Sequence, residues 1–203
     1  MATITKLEAV NRMLAAIKEQ PVSSVEGTGS DFVEMAIAKL DLTSSIVQAQ
    51  GWTFNTLYEV ELTLGVDNTI EFPDNTLAII RAYSGRLLER VSEVNGKLFD
   101  VDNNTDEWTD NVTVDYIVKR EWENLPFWIQ NYIMAKSAQE FQMEVMGSKT
   151  ADETLARQAR EAFLFAKAMK IKQANKSIYE TPGPREIVNP VLDSTIPFNL
   201  SGQ

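Results

Sequence analysis

The sequence predicts an α+β fold: a helical bundle of about four helices with an inserted small antiparallel β unit and an extended C-terminal arm. Three observations predict it. Apolar residues recur at helical spacing in two blocks, roughly residues 7–50 and 127–170. Between them, from 58 to 118, apolar and polar residues alternate as in a half-buried strand. After residue 181 the chain carries Pro182, Pro184, Pro190 and Pro197, which exclude helix and central strand. The expected divisions are 1–56 and 121–180 for the two helical parts of the bundle, 57–120 for the β unit and 181–203 for the arm.

The first helix is announced by Thr5 and Glu8, the two ends of a capping box. Leu7, Val10, Leu14 and Ile17 then mark one face, and Pro21 lies past its end. A second helix is expected over 30–50 with two adjoining apolar stripes: Val33, Ile37, Leu40 and Val47, and beside them Met35, Leu42, Ile46 and Ala49. Gly51 stands where a left-handed C-terminal cap belongs. Trp52 and Phe54 follow, expected on one side of an extended segment and packed under the helices.

In the β unit, Tyr58, Val60, Leu62 and Leu64 are expected to face a core, with Glu59, Glu61 and Thr63 outside. Residues 77–83 form a second strand. Residues 87–94 and 97–101 flank Asn95-Gly96, a strong hairpin signal. In 112–118, Val112, Val114, Tyr116 and Val118 alternate with Thr113 and Asp115, read as a wet face.

Helices return with Pro126 in a first turn and run to Met146 before Gly147. Phe127, Met134, Ala138, Phe141 and Val145 make one stripe of that helix; Trp128, Tyr132 and Ala135 make another. A last helix spans 150–176. Leu155, Ala159, Ala162, Phe163, Ala166 and Met169 form its main face, while Leu164 and Phe165 lie off it. A helix apolar on more than one side needs cover on more than one side, and a neighbouring subunit is a natural source. In the arm, Ile187, Val188, Ile196 and Phe198 are too apolar for a solvated linker. An arm that orders on a partner fits; a self-packed C-terminus is the alternative.

The 203 residues contain no Cys and no His. Disulfides, thiolate nucleophiles, Ser-His-Asp machinery and His-ligated metals are thereby removed, leaving carboxylate or Lys chemistry. No cofactor is expected. The net charge of −10 runs against ordinary nucleic-acid binding. No apolar run reaches the roughly 20 residues needed to span a bilayer, and the N-terminus lacks the pattern of a secretory leader.

Three blocks carry a resemblance. The first is residues 9–17 (AVNRMLAAI) through 20–27 (QPVSSVEG); the second is 50–55 (QGWTFN); the third is 95–100 (NGKLFD) with the strand at Val112 and the helix through Phe141. In this order they resemble the tail tubular protein A family of short-tailed podophages, over most of residues 9–147. The resemblance implies a virion protein, assembled in the host cytoplasm, that forms a ring of typically twelve copies between portal protein and tail nozzle protein. DNA would pass through the ring without being specifically bound. It does not extend to the arm.

Other constellations compete. The acidic stretch 100–107 invites a calcium loop, but Thr105 and Asn111 stand where an EF-hand wants Gly and Glu. It reads better as a solvated hairpin loop, or as a partner contact anchored by Trp108. Glu121 and Glu123, beside Trp122, Phe127 and Trp128, form the acid–aromatic cluster that a carboxylate-dependent cell-wall glycan hydrolase, the runner-up function, would use; helix-start charge and core aromatics explain them better. A receptor-binding module would be richer in β structure. Arg157, Arg160, Lys167, Lys170, Lys172 and Lys176 give the last helix a basic face, solvated or paired with an acidic neighbour. The expected subunit or partner interface therefore comprises Leu164, Phe165, Trp108, Ile187, Val188, Ile196 and Phe198, with no catalytic or metal-binding residue.

Overall fold

The computed structural model describes residues 3–26, 29–85 and 87–180, their side chains excepting Leu87 and 174–180. The arm, with Ile187, Val188, Ile196 and Phe198, lies outside the described residues. The fold is α+β, as expected. Helices α1 (Lys6–Ala16) and α2 (Asp31–Gln48) precede six strands, and α3 (Phe127–Val145) and α4 (Lys149–Glu180) follow them.

The capping box forms at α1. Thr5 Oγ1 accepts from the Glu8 N–H at 3.1 Å, and the Glu8 carboxylate accepts from the Thr5 N–H at 2.7 Å. The Thr5 N–H, and after it the Thr5 hydroxyl that donates to the same carboxylate at 3.0 Å, hold the Glu8 carboxyl below the usual carboxylate range. The helix stops before Pro21 is reached, because Lys18 turns left-handed (φ 64°). Val10, Met13 and Leu14 of α1, Val33, Leu40 and Val47 of α2, and Ile129, Ile133 and Phe141 of α3 form the bundle core. α3 is the central helix, packing against α1, α2 and α4. Its residues Lys136, Glu140 and Glu144 form a charged ridge toward α2, with Lys39 Nζ 2.7 Å from the Glu144 carboxylate.

Strands β1 (Thr56–Leu62), β2 (Thr76–Ser84), β3 (Leu87–Glu89) and β6 (Val112–Val118) form one antiparallel sheet in the order β1-β6-β2-β3. β4 (Val91–Val94) and β5 (Lys97–Asp100) form a separate hairpin. Its turn has positive φ at both Asn95 (53°) and Gly96 (77°), as a two-residue type I′ connection requires. The continuous strand expected over 87–94 is broken at Arg90, and its two pieces pair with different partners.

Two side-chain assignments in the sheet are corrected. A bulge between Leu57 and Val60, with Glu59 at φ 53°, inserts an extra residue and reverses the inside–outside parity. Leu57, Val60 and Leu62 therefore pack inward while Tyr58 is exposed. Asp115 is not on a wet face but buried, since β6 is an inner strand held between β1 and β2. Its carboxylate accepts from the Glu59 N–H at 2.7 Å and meets the Arg81 guanidinium at 2.8 Å.

A seam of side-chain amides joins bundle and sheet. Gln48 Oε1 accepts from the Arg120 N–H at 2.8 Å, and its Nε2 donates to the Arg120 carbonyl at 3.1 Å. Asn55 Nδ2 donates to the Gln48 and Val118 carbonyls, and Asn55 Oδ1 accepts from the Trp52 N–H. Both residues are fully buried, so these bonds satisfy backbone groups that water cannot reach.

Candidate assembly surfaces

The surfaces that stand out are the second faces of α2 and α4. On α2 the buried residues Val33, Ala36, Leu40 and Val47 face α1 and α3. Met35, Ala38, Leu42, Ile46 and Ala49 recur every three or four residues on the other side, and all are exposed, Leu42 at 55% and Ile46 at 50%. The second stripe read from the sequence is thus an outward stripe. At about 1.5 Å per residue it runs roughly 20 Å along the helix.

On α4, Leu155, Ala159, Ala162 and Ala166 are buried against α3, where Phe163 and Tyr132 rings lie 5.1 Å apart. Leu164, Ala168 and Ile171 lie on the opposite side, with Leu164 56% and Ile171 61% exposed. Phe165 is also exposed, at the rim of a cleft of about 400 Å³ between α3 and α4. Leu164 and Phe165 are therefore where a partner could reach them. Ile171 and the α2 stripe are equally open and were not among the expected interface residues, although the 3–4 spacing of Leu164, Ala168 and Ile171 is present in the sequence.

Polar residues border each stripe differently. Asp31 and Glu34 stand at the N-terminal end of the α2 stripe, while Lys39 and Asp41 pair within the chain with Glu144 and Lys6. Arg157, Arg160, Lys167 and Lys172 flank the α4 stripe and are exposed. Lys167 Nζ lies 4.6 Å from the Phe163 ring centroid. Lys170 turns inward: its ammonium donates to the Gly51 carbonyl at 2.6 Å and sits 5.4 Å from the Trp52 ring. One of the expected basic residues is thus a clamp between α4 and the exit of α2. The side chain of Lys176 lies outside the described ones.

That exit is built as a turn, not the extended segment expected. The Asn55 N–H donates to the Trp52 carbonyl, and Gly51 is left-handed (φ 69°), as its cap position requires. Trp52 and Phe54 still converge, with ring centroids 5.7 and 5.9 Å from Trp128.

Trp108 is placed differently from its expected role as an exposed anchor. Only 8% of it is exposed, and its indole N–H donates to the Leu98 carbonyl at 3.0 Å inside the β core. The acidic loop before it is organised by Asp100. Its carboxylate accepts from the backbone N–H groups of Asn103 and Asp102 and from the Asn103 amide, at 2.7–3.0 Å. The Asn103 bonds, then that of Asp102, hold the Asp100 carboxyl below the usual range. A carboxylate occupied by N–H donors serves a turn, which is the hairpin-loop reading of this stretch.

Glu121 and Glu123 are exposed at either side of buried Trp122, whose indole N–H donates to the Ile4 carbonyl. Neither lines the cleft of about 550 Å³ between α1, α3 and the start of α4, which Arg12, Lys18, Met146 and Leu155 help form and which has no carboxylate in its lining. Trp122 and Trp128 of this cluster belong to the bundle core, whereas Phe127 is exposed at the start of α3.

No curated protein matches the chain. Among protein families, residues 7–176 match the model described as tail tubular protein. That span takes in all four helices but for the first residue of α1 and the last turn of α4, both sheets and both outward stripes: the chain belongs to the tail tubular protein family.

Proposed function

We propose that this chain, a structural protein of the bacteriophage tail by its family, is a subunit of a ring-shaped head-to-tail adaptor. Copies, twelve in a complete ring, surround the tail axis between portal protein and tail nozzle protein and leave a passage for DNA. No reaction is assigned to it. The observation that carries the reading is the pair of outward apolar stripes on α2 and α4. Contiguous exposed apolar surface of this kind marks contact with another protein.

The charge balance suits a conduit. Twelve chains of net charge −10 carry about −120 in total, a field that repels a polyanion and so guides DNA without holding it. An acidic or mixed lumen is expected.

Native mass spectrometry of the purified chain, alone and with portal protein, tests the reading. A closed oligomer in either sample is the expected result. A chain that stays monomeric with portal present would overturn it. Release of peptidoglycan fragments by the wild type, abolished in Glu121→Gln or Glu123→Gln, would replace it with the hydrolase reading.

A further inference from the structure

The two outward stripes cannot cover each other within one chain. α2 and α4 each pack on α3 and share no substantial contact with one another, and each stripe points away from the bundle. We propose that they are the two halves of one interface between copies: the outer face of α2 in one copy seats on the outer face of α4 in the next, the helices parallel, with Asp31 opposite Arg157. The inference rests on the ring reading above and names its lateral contact.

Three features select this arrangement. The first is symmetry. A surface that met its own copy would close a two-fold dimer and stop, whereas two different surfaces that meet head-to-tail propagate around a ring. The second is charge. The α2 stripe begins with Asp31 and Glu34, and the α4 stripe is preceded by Arg157 and Arg160. A parallel α2–α2 pairing would bring acid near acid, and a parallel α4–α4 pairing would set Arg157 and Arg160 against their copies, with exposed Glu153 and Glu161 beside them. Lys39 and Asp41 are already matched inside the chain, so the acidic end of α2 is what remains for a partner.

The third is register. With Asp31 set against Arg157, a parallel alignment brings Glu34 against Arg160, Ala38 against Leu164 and Leu42 against Ala168. At 38/164 and 42/168, in the middle of the seam, a large side chain meets a small one, as interdigitated helices require. Both stripes advance by steps of three or four residues, which keeps them on one side of the helix. Ile46 then lies along the stem of Lys172, whose ammonium stays in solvent.

The chain has no cysteine, so engineered thiols report without background. The test is a full-length Leu42→Cys and Ala168→Cys double variant, oxidised after assembly and run without reductant, beside the two single variants and an equal mixture of them. Both positions are exposed, and unchanged circular dichroism and melting would verify the fold. Across a parallel seam these α-carbons come within the roughly 4.4–6.8 Å that a disulfide spans. The expected result is a ladder of covalent multimers from the double variant, dimers alone from the mixture, and almost none from either single variant.

Efficient dimers from Leu42→Cys alone would overturn the pairing, since like would then meet like. An oligomer seen by mass spectrometry but lacking the 42–168 cross-link would overturn it too while leaving the ring intact. A chain monomeric with and without portal protein would remove the ring itself, and the pairing with it.

Discussion

The bundle and the β unit use apolar residues in opposite ways. The β unit turns its large aromatic Trp108 into its own core beside Leu98, Ile70 and Phe72, and it buries Asp115 between strands with a matched guanidinium. The bundle buries one face of α2 and of α4 and leaves a second apolar face outside on each. The comparison teaches that apolar content alone does not distinguish core from contact surface. The angular position of the residues on the helix does, because a stripe opposite the buried one has no partner in the chain.

Core truncations should cost the most and do so in both regions. Phe141→Ala is expected to destabilise the bundle by about 3–5 kcal/mol and Leu98→Ala the β unit by about 2–5 kcal/mol, measured by urea unfolding. Next, Asp115→Ala should cost about 2 kcal/mol by removing the buried acceptor shared by the Glu59 N–H and the Arg81 guanidinium. A neutral result would mean that the burial of Asp115 contributes nothing to the sheet. Gly51→Val should cost about 1–2 kcal/mol, because a β-branched residue is strained at φ 69° and its Cβ would stand 3.0 Å from Ile117 Cδ1.

Acid sensitivity should be smaller, and in the β unit it is seated at Asp100. Asp100 has a folded pKa below its unfolded one, so its contribution is present above the ordinary carboxylate pKa of about 4. It is lost as the pH falls through the folded value. Asp100→Asn should therefore be less stable than wild type near pH 7 and lose less stability between about pH 5 and pH 2, followed by urea melts across that range. The smallest effect on folding belongs to the stripes. Leu42→Ser and Leu164→Ser should each change stability by less than about 0.5 kcal/mol yet weaken assembly in native mass spectra. Tyr58→Ser, an equally exposed site in the β unit, should leave assembly unchanged; if it impairs assembly as much, the contrast between the regions fails.

Much of this was legible in the sequence, for physical reasons that differ by element. The capping box at Thr5 and Glu8, the left-handed Gly51 and the Asn95-Gly96 turn are local and need only neighbours in the chain. The second stripes of α2 and α4 followed from helical spacing, although Ile171 was passed over among basic neighbours. The strand faces were harder to read. A bulge at Glu59 shifts parity without any marker in residue type, and Asp115 looks like a surface residue until its strand is known to be an inner one. Trp108 has no periodicity around it, so its burial depends on the Asp100 turn that folds the loop back. The amides of Gln48 and Asn55 were invisible as a pair, since their partners are backbone groups remote in sequence.

The seam those amides make has a further consequence. Its bonds run between a side-chain amide and a main-chain group, save the one that Gln48 Nε2 donates to the Ser44 hydroxyl at 3.0 Å. None of these groups changes protonation near neutral pH, and none is a net charge for dissolved ions to screen. Neither acidity near neutral pH nor dissolved salt therefore acts directly on these bonds. Changes in either act at the edges, on carboxylates such as Asp100 and on the bordering charges of α2 and α4, where they can loosen contacts between molecules without acting on the seam itself.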